Sequence, residues 1–244
     1  MKRISFGLSA LFLLIAVISM SAVVIAEEAT ILHKQQKTDG VMGQKGEETT
    51  SVTYLSPSAV YEKSSSGTDF LIRFEEGSVL TIDHEEKQYT EYTFEELNRA
   101  LAQMGSESEE NEQAQAMMKK MMGNMAKEAK LEKLGPGEEI AGYATEKYKL
   151  TMSPMVITVW AAPDLPMPDA YFDTMRLSTP QNPMFDLGAM FESFKKIEGI
   201  GMKTETVFSM MGMEVKSLDQ VTRVEQGTFP EVSIPAGYKQ VSAF

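Results

Sequence analysis

The sequence predicts an α+β protein whose body is one large antiparallel sheet interrupted by two helical excursions. Three observations carry that expectation: period-two alternation from Glu28 to about Tyr92, a switch to helical spacing at Thr93, and a return to strands after Gly135-Pro136-Gly137. At 244 residues, with 43% hydrophobic and 24% charged residues, the chain has the composition of a globular protein.

The first segment is read as a secretory signal rather than as part of the fold. Lys2 and Arg3 open it, and Ile4–Ile25 carries no charge and is rich in Leu, Ile, Val and Ala. Val24-Ile25-Ala26 places small residues where a signal peptidase inspects them, so cleavage is expected after Ala26, leaving one domain over residues 27–244. The alternative is a retained anchor, since 22 uncharged residues at ~1.5 Å each span a bilayer core of ~30 Å. Loss of residues 1–26 takes 23 basic residues to 21 against 35 acidic, a net charge of −14 over 218 residues. The expected location is the periplasm or the medium. No cysteine follows the signal, so a lipobox attachment is excluded.

From Glu28 to Tyr92 short runs rich in Thr, Val, Ile, Tyr and Phe alternate in and out. Ser64-Ser65-Ser66-Gly67, Glu75-Glu76-Gly77 and His84-Glu85-Glu86-Lys87 interrupt them as turns, which gives a meander of about six antiparallel strands. In Asp69–Glu75, Phe70, Ile72 and Phe74 share one face, with Leu71 and Arg73 on the other. Such a sheet buries one face and wets the other.

Thr93 with Glu96 forms a capping box, and Phe94, Leu97, Leu101 and Met104 line one stripe of a short helix. After the acidic stretch Gly105–Gln113, a second helix is expected from about Glu109 to Leu134, with acids first and lysines last, as the helix dipole favours. Its Met117, Met118, Met121, Met122 and Met125 fall within one arc of about 140°. Three readings fit that stripe: plain core packing, an adaptable surface for apolar ligands, and soft thioether ligands for Cu(I).

Beyond the glycine–proline stop, Ile140–Met152 and Met155–Ala162 read as a hairpin across Ser153-Pro154. Pro163–Gly199 reads as helical, with Asn182-Pro183 as cap and first turn and Gly199 as its end. Two long strands, Gly201–Met211 and Met213–Glu225, turn at Gly212, and Phe229–Val241 closes the chain. No repeat or long linker divides it.

The chemistry that is absent narrows function. Zero cysteines exclude disulfides, thiolate metal sites and a cysteine nucleophile, and only His33 and His84 remain as imidazoles. A net charge of −12 repels phosphate backbones, so nucleic acid is not an expected partner. No GxSxG, HExxH, Walker A or GxGxxG pattern occurs. Asp83, His84 and Glu86 are drawn more simply as a hydrophilic turn than as a metal or acid–base site. Trp160 alternates with Val156 and Thr158 and reads as core before it reads as a stacking platform. No enzyme activity and no cofactor are expected.

Three stretches resemble an exported bacterial family, the domain of unknown function DUF4412: Val79–Tyr92, with its strand, Asp turn and strand; Gly135–Pro166, with Ala141-Gly142-Tyr143, Glu146-Lys147-Tyr148 and Val159-Trp160-Ala161; and Ile234-Pro235-Ala236-Gly237-Tyr238-Lys239. That family is similar in architecture to the periplasmic lipoprotein carriers (LolA-like), so the resemblance implies a half-open antiparallel barrel with its helices as a lid over an apolar cavity. It carries no catalytic residues over.

The expected function is therefore binding of a hydrophobic ligand, a lipid or acyl chain, by a non-enzymatic exported protein. Met117, Met118, Met121, Met122, Met125, Phe70, Ile72, Phe74 and Trp160 are the candidate contacts. The alternatives are an envelope interaction module with a filled core and a protein partner, and a periplasmic Cu(I) binder using its methionines.

Overall fold

The computed structural model describes residues 27–40, 45–106, 130–152, 154–177, 192–210 and 213–243, without the side chains of 101–106, 174–177, 210 and 213. The signal segment, the Met117–Met125 stripe, Asn182-Pro183 and Gly212 lie outside these residues.

The expected meander folds as six strands: β1 (Glu28–Thr38), β2 (Glu47–Leu55), β3 (Ala59–Ser64), β4 (Thr68–Arg73), β5 (Ser78–Asp83) and β6 (Gln88–Thr93). Each pairs antiparallel with the next, and the turns are made by the residues that the composition marked. At the last turn the Asp83 carboxylate accepts the N–H groups of Glu85 and Glu86 at 2.9 and 2.8 Å, the local bonding that makes Asp a turn residue. Asp83 thus serves its own turn.

Helix α1 (Phe94–Ser106) starts on the expected capping box. The Glu96 N–H donates to Thr93 Oγ1 at 3.2 Å and the Thr93 N–H donates to Glu96 Oε2 at 2.8 Å, which satisfies two otherwise orphaned donors. The Thr93 N–H and the Thr93 hydroxyl, both donating to the Glu96 carboxyl, hold it below its usual range.

The second expected helix needs correction at its end. Lys130–Pro136 is strand β7, paired antiparallel with β8 (Glu146–Met152). Lysine, leucine and glutamate favour helix weakly, and a neighbouring strand that supplies backbone partners and a place for Leu131 against Tyr148 and Leu150 overrides that preference. Strand β8 is also shorter than expected, because Ile140 and Tyr143 exchange two backbone bonds of 3.0 Å around Ala141-Gly142, both at positive φ. It then forms the expected hairpin with β9 (Met155–Ala162).

Of Pro163–Gly199, helix α2 (Asp169–Leu177) and one short helical turn at 192–194 are helical among the described residues. Gly199 ends the excursion at φ +91°, and a Cβ there would sit 1.9 Å from the Ala162 carbonyl oxygen, so glycine is obligatory. Strands β10 (Ile200–Met210) and β11 (Met213–Thr228) follow as a long hairpin, and β12 (Lys239–Gln240) is a two-residue final strand.

All twelve strands form one open sheet in the order β12-β6-β5-β4-β3-β2-β1-β11-β10-β9-β8-β7. The two halves are joined by β1 against β11 over the full length of β1, from Glu28↔Thr228 to Thr38↔Ser217. Every pairing is antiparallel except β12 on β6. The described residues are mostly sheet, with few helices.

Strand alternation gives the sheet two faces. On the outer face Ala59, Leu71, Leu80 and Ile82 are buried under Phe229, Val232 and Tyr238 of the C-terminal segment. Each fully buried aliphatic side chain contributes about 1.5–3 kcal/mol. On the hollow face Ile72, Phe74 and Val79 pack with Phe94 and Leu97 of α1 and with Ala170 and Tyr171 of α2.

Candidate functional site

Between the hollow face and the two helices lies a cavity of about 750 Å³. Its apolar wall is built by Leu32 (β1), Leu55 (β2), Val60 (β3), Phe70 and Ile72 (β4) and Val79 (β5), closed by Tyr92, Phe94, Leu97, Met167, Tyr171 and Ile200. These residues face one way because the sheet register aligns them: Leu55 opposes Val60, Val60 opposes Ile72, and Ile72 opposes Val79. A second chamber of about 400 Å³ continues past Tyr171 towards Ile157, Val159, Phe172, Phe194 and Ile197. The two share Met167, Tyr171, Gly201 and Thr204. Apolar clefts of this size are the usual seat of small-molecule ligands.

Phe70 is one of four large apolar side chains left exposed among the described residues, and the one of them that lines the cavity. It is 37% exposed although it lies on a strand whose neighbours Leu71 and Ile72 are 4% and 8% exposed. Its ring faces the cavity.

The wall is also graded in polarity. At one end Lys34, Thr53, Glu62, Thr204 and Asp219 enter it. Lys34 Nζ lies 3.6 Å from Glu62 Oε2, and the Thr53 hydroxyl donates to the same oxygen at 2.8 Å. The Asp219 carboxyl is pushed up by burial, against the pull of Lys34 and with the push of Glu62. Burial also raises the Tyr171 phenol. Beyond Glu62 the same face becomes wholly polar, through Gln36, Thr38, Glu47, Thr49, Ser64, Ser66 and Thr68.

Of the residues singled out in the sequence, Phe70 and Ile72 line the cavity. Phe74 lies beside it, edge-on to Tyr171 with ring centroids 6.2 Å apart, and is packed rather than open. Trp160 is outside the cavity lining. It is buried in a core cluster with Ile140, Leu165 and Met202, and Lys147 and Lys203 each place an ammonium 4.4 Å from its ring centre. Gly137 packs so closely there that a Cβ would lie 2.6 Å from the indole. The five methionines fall outside the described residues.

Sequence reasoning missed the polar end. Lys34, Glu62 and Asp219 each share a strand with other charged residues, where a charge reads as a solvated position. The clue was parity: Lys34 lies two residues from Leu32, and Glu62 two from Val60, so each shares a face with an inward apolar residue.

His84 is likewise drawn elsewhere than towards Asp83 and Glu86. Its Nδ1 lies 2.9 Å from the Tyr238 hydroxyl, and its Nε2 lies 3.1 Å from Asp69 Oδ2, close enough to pair but out of line for a hydrogen bond. The Tyr61 hydroxyl donates to the same Asp69 oxygen at 2.5 Å, and burial followed by that bond raises the Tyr61 pKa. This outer-face cluster ties the turn before β6 to the C-terminal segment.

A family model described as domain of unknown function (DUF4412) matches residues 62–238, from the polar end of the cavity to the tyrosine of that cluster. No curated protein matches the chain. Among solved structures, PNGF-II is similar over 88% of this chain with TM-score 0.40 and 11% identity, and the chain spans only 31% of the PNGF-II chain. A putative outer membrane lipoprotein-sorting protein domain from Vibrio parahaemolyticus is similar over 83% of this chain and 87% of its own, with TM-score 0.30 and 7% identity. Overlaps this loose say nothing about a ligand.

Proposed function

The chain belongs to the DUF4412 family, and on that premise we propose that it is an exported, non-enzymatic protein that binds a hydrophobic ligand, a lipid or acyl chain, in the hollow of its sheet. The observation that carries this reading is the apolar cavity of about 750 Å³ with Phe70 left open inside it. A filled core has no use for an aromatic ring exposed on its inner wall. Export rests on the basic start and uncharged run of Lys2–Ala26.

Uptake of the neutral fluorophore N-phenyl-1-naphthylamine by the purified mature protein tests it, together with native mass spectrometry of co-purified lipid. Saturable uptake is expected, and Phe70→Asp should weaken it at least roughly tenfold by placing a charge on an apolar wall. A protein that takes up no apolar probe, carries no lipid and recovers one stoichiometric envelope partner would support the interaction-module reading instead.

A further inference from the structure

We propose that the ligand of this hollow is an amphiphile with a positively charged, hydrogen-bond-donating head, of the primary-amine class, and that the head sits between Asp219 and Glu62. The proposal deepens the ligand-binding reading and rests on it.

The polarity gradient says where the head goes. An acyl chain gains nothing beside Lys34, Glu62 and Asp219, whereas a polar head placed among the apolar side chains would lose its water without replacement. The charge at that end says what the head is. Lys34 is the one basic residue among the described residues lining the cavity, and it is already engaged by Glu62 at 3.6 Å. The Glu62 oxygen that faces it also accepts the Thr53 hydroxyl at 2.8 Å. Asp219 is different. It opposes Gln36 on β1 and Thr204 on β10, and no hydrogen bond to its carboxylate is found among the described residues.

One cation and two carboxylates therefore leave this end of the wall with an excess of negative charge, and leave the half-buried Asp219 without a side-chain donor among the described residues. The neighbouring polar stretch adds Glu47 and no base among its described residues. An ammonium head supplies the missing donor and the missing charge together, and such charge-assisted bonds are about twice as strong as neutral ones. A sulfate or phosphate head would bring another negative charge to two carboxylates, at the distances where like charges repel.

The test is displacement of N-phenyl-1-naphthylamine from the mature protein by dodecylammonium, dodecyl maltoside and dodecyl sulfate, each below its micelle concentration at about 0.15 M salt, where remote surface charge is screened. The expected order is dodecylammonium first, at least roughly tenfold ahead of dodecyl sulfate, with the maltoside between. Asp219→Asn should shrink the gap to about threefold or less, whereas Glu48→Gln, which removes the same charge from the outer face, should leave it unchanged. Dodecyl sulfate competing as well as dodecylammonium overturns the proposal. So does a gap that Glu48→Gln closes as far as Asp219→Asn, which would mean net charge alone is being read. If the fluorophore does not bind at all, the ligand-binding reading itself fails and takes this one with it; binding of the fluorophore with no preference for the amine sinks the head-group proposal alone.

Discussion

The two faces of this sheet are made by the same strands and have opposite fates. On β4, Leu71 points outward and is closed in by Phe229 and Val232, while Phe70, one residue before, points into the hollow and is 37% exposed. The acids of the two faces diverge in the same way. Asp69, on the outer face, is 4% exposed and receives the Tyr61 hydroxyl with His84 beside it. Asp219, on the hollow face, has no such donor among the described residues. Alternation assigns residues to a face, but whether the face is filled depends on which other part of the chain reaches it. Here the C-terminal segment reaches the outer side, and among the described residues α1 and α2 pack on the inner one around Ile72, Phe74 and Val79.

The largest contrast should appear in the core of the outer face. Leu80→Ala should cost about 2–5 kcal/mol in chemical denaturation, since Leu80 is 2% exposed and its loss leaves a cavity under the C-terminal segment. Tyr238→Phe comes next, at about 1 kcal/mol, by removing the hydroxyl that meets His84 at 2.9 Å. Phe70→Ala should cost less than about 1 kcal/mol, because the ring is already partly exposed, while abolishing most probe uptake. If Phe70→Ala destabilises as much as Leu80→Ala, the inner face is a core and the contrast collapses.

The smallest effect sharpens the comparison through pH. The Asp219 carboxyl is raised in the folded protein, with burial as the main cause, so folding holds its proton more tightly than the unfolded chain does. Its contribution is therefore present below the ordinary aspartate range and is lost as pH rises through the raised value. Asp219→Asn should accordingly raise the melting temperature relative to the parent at pH 8 and do less at pH 3. An equal shift at both values would show that the carboxylate is not penalised by its site.

Local chemistry made much of this fold readable. Ser64–Gly67, Glu75–Gly77 and the Asp83 turn each mark a strand end by residues that bond their own backbone, and Thr93 with Glu96 marks the helix start in the same way. The stretch Lys130–Leu134 was misleading because its residues favour helix while its strand partner is a tertiary fact. The joining of β1 to β11 was invisible for a related reason, since nothing local in either strand names the other. Alternation put Phe70 and Ile72 on one face, and the family resemblance implied the cavity which that face lines. The polar end was not legible, because a lysine or glutamate on a strand looks like solvent contact until the sheet around it is known.

The β1–β11 seam also sets the order of assembly. Turn-linked neighbours let β1 to β6 zip together early, but the partner of Ile31 and Leu32 lies in Met213–Thr228, nearly the whole chain away. Until that hairpin arrives, β1 is the raw edge of a half-built sheet, with backbone donors and acceptors offered to whatever strand comes first. The stretch most exposed to aggregation is thus one that the finished protein hides in the middle of its sheet, and the hazard belongs to the incomplete chain rather than to the folded one.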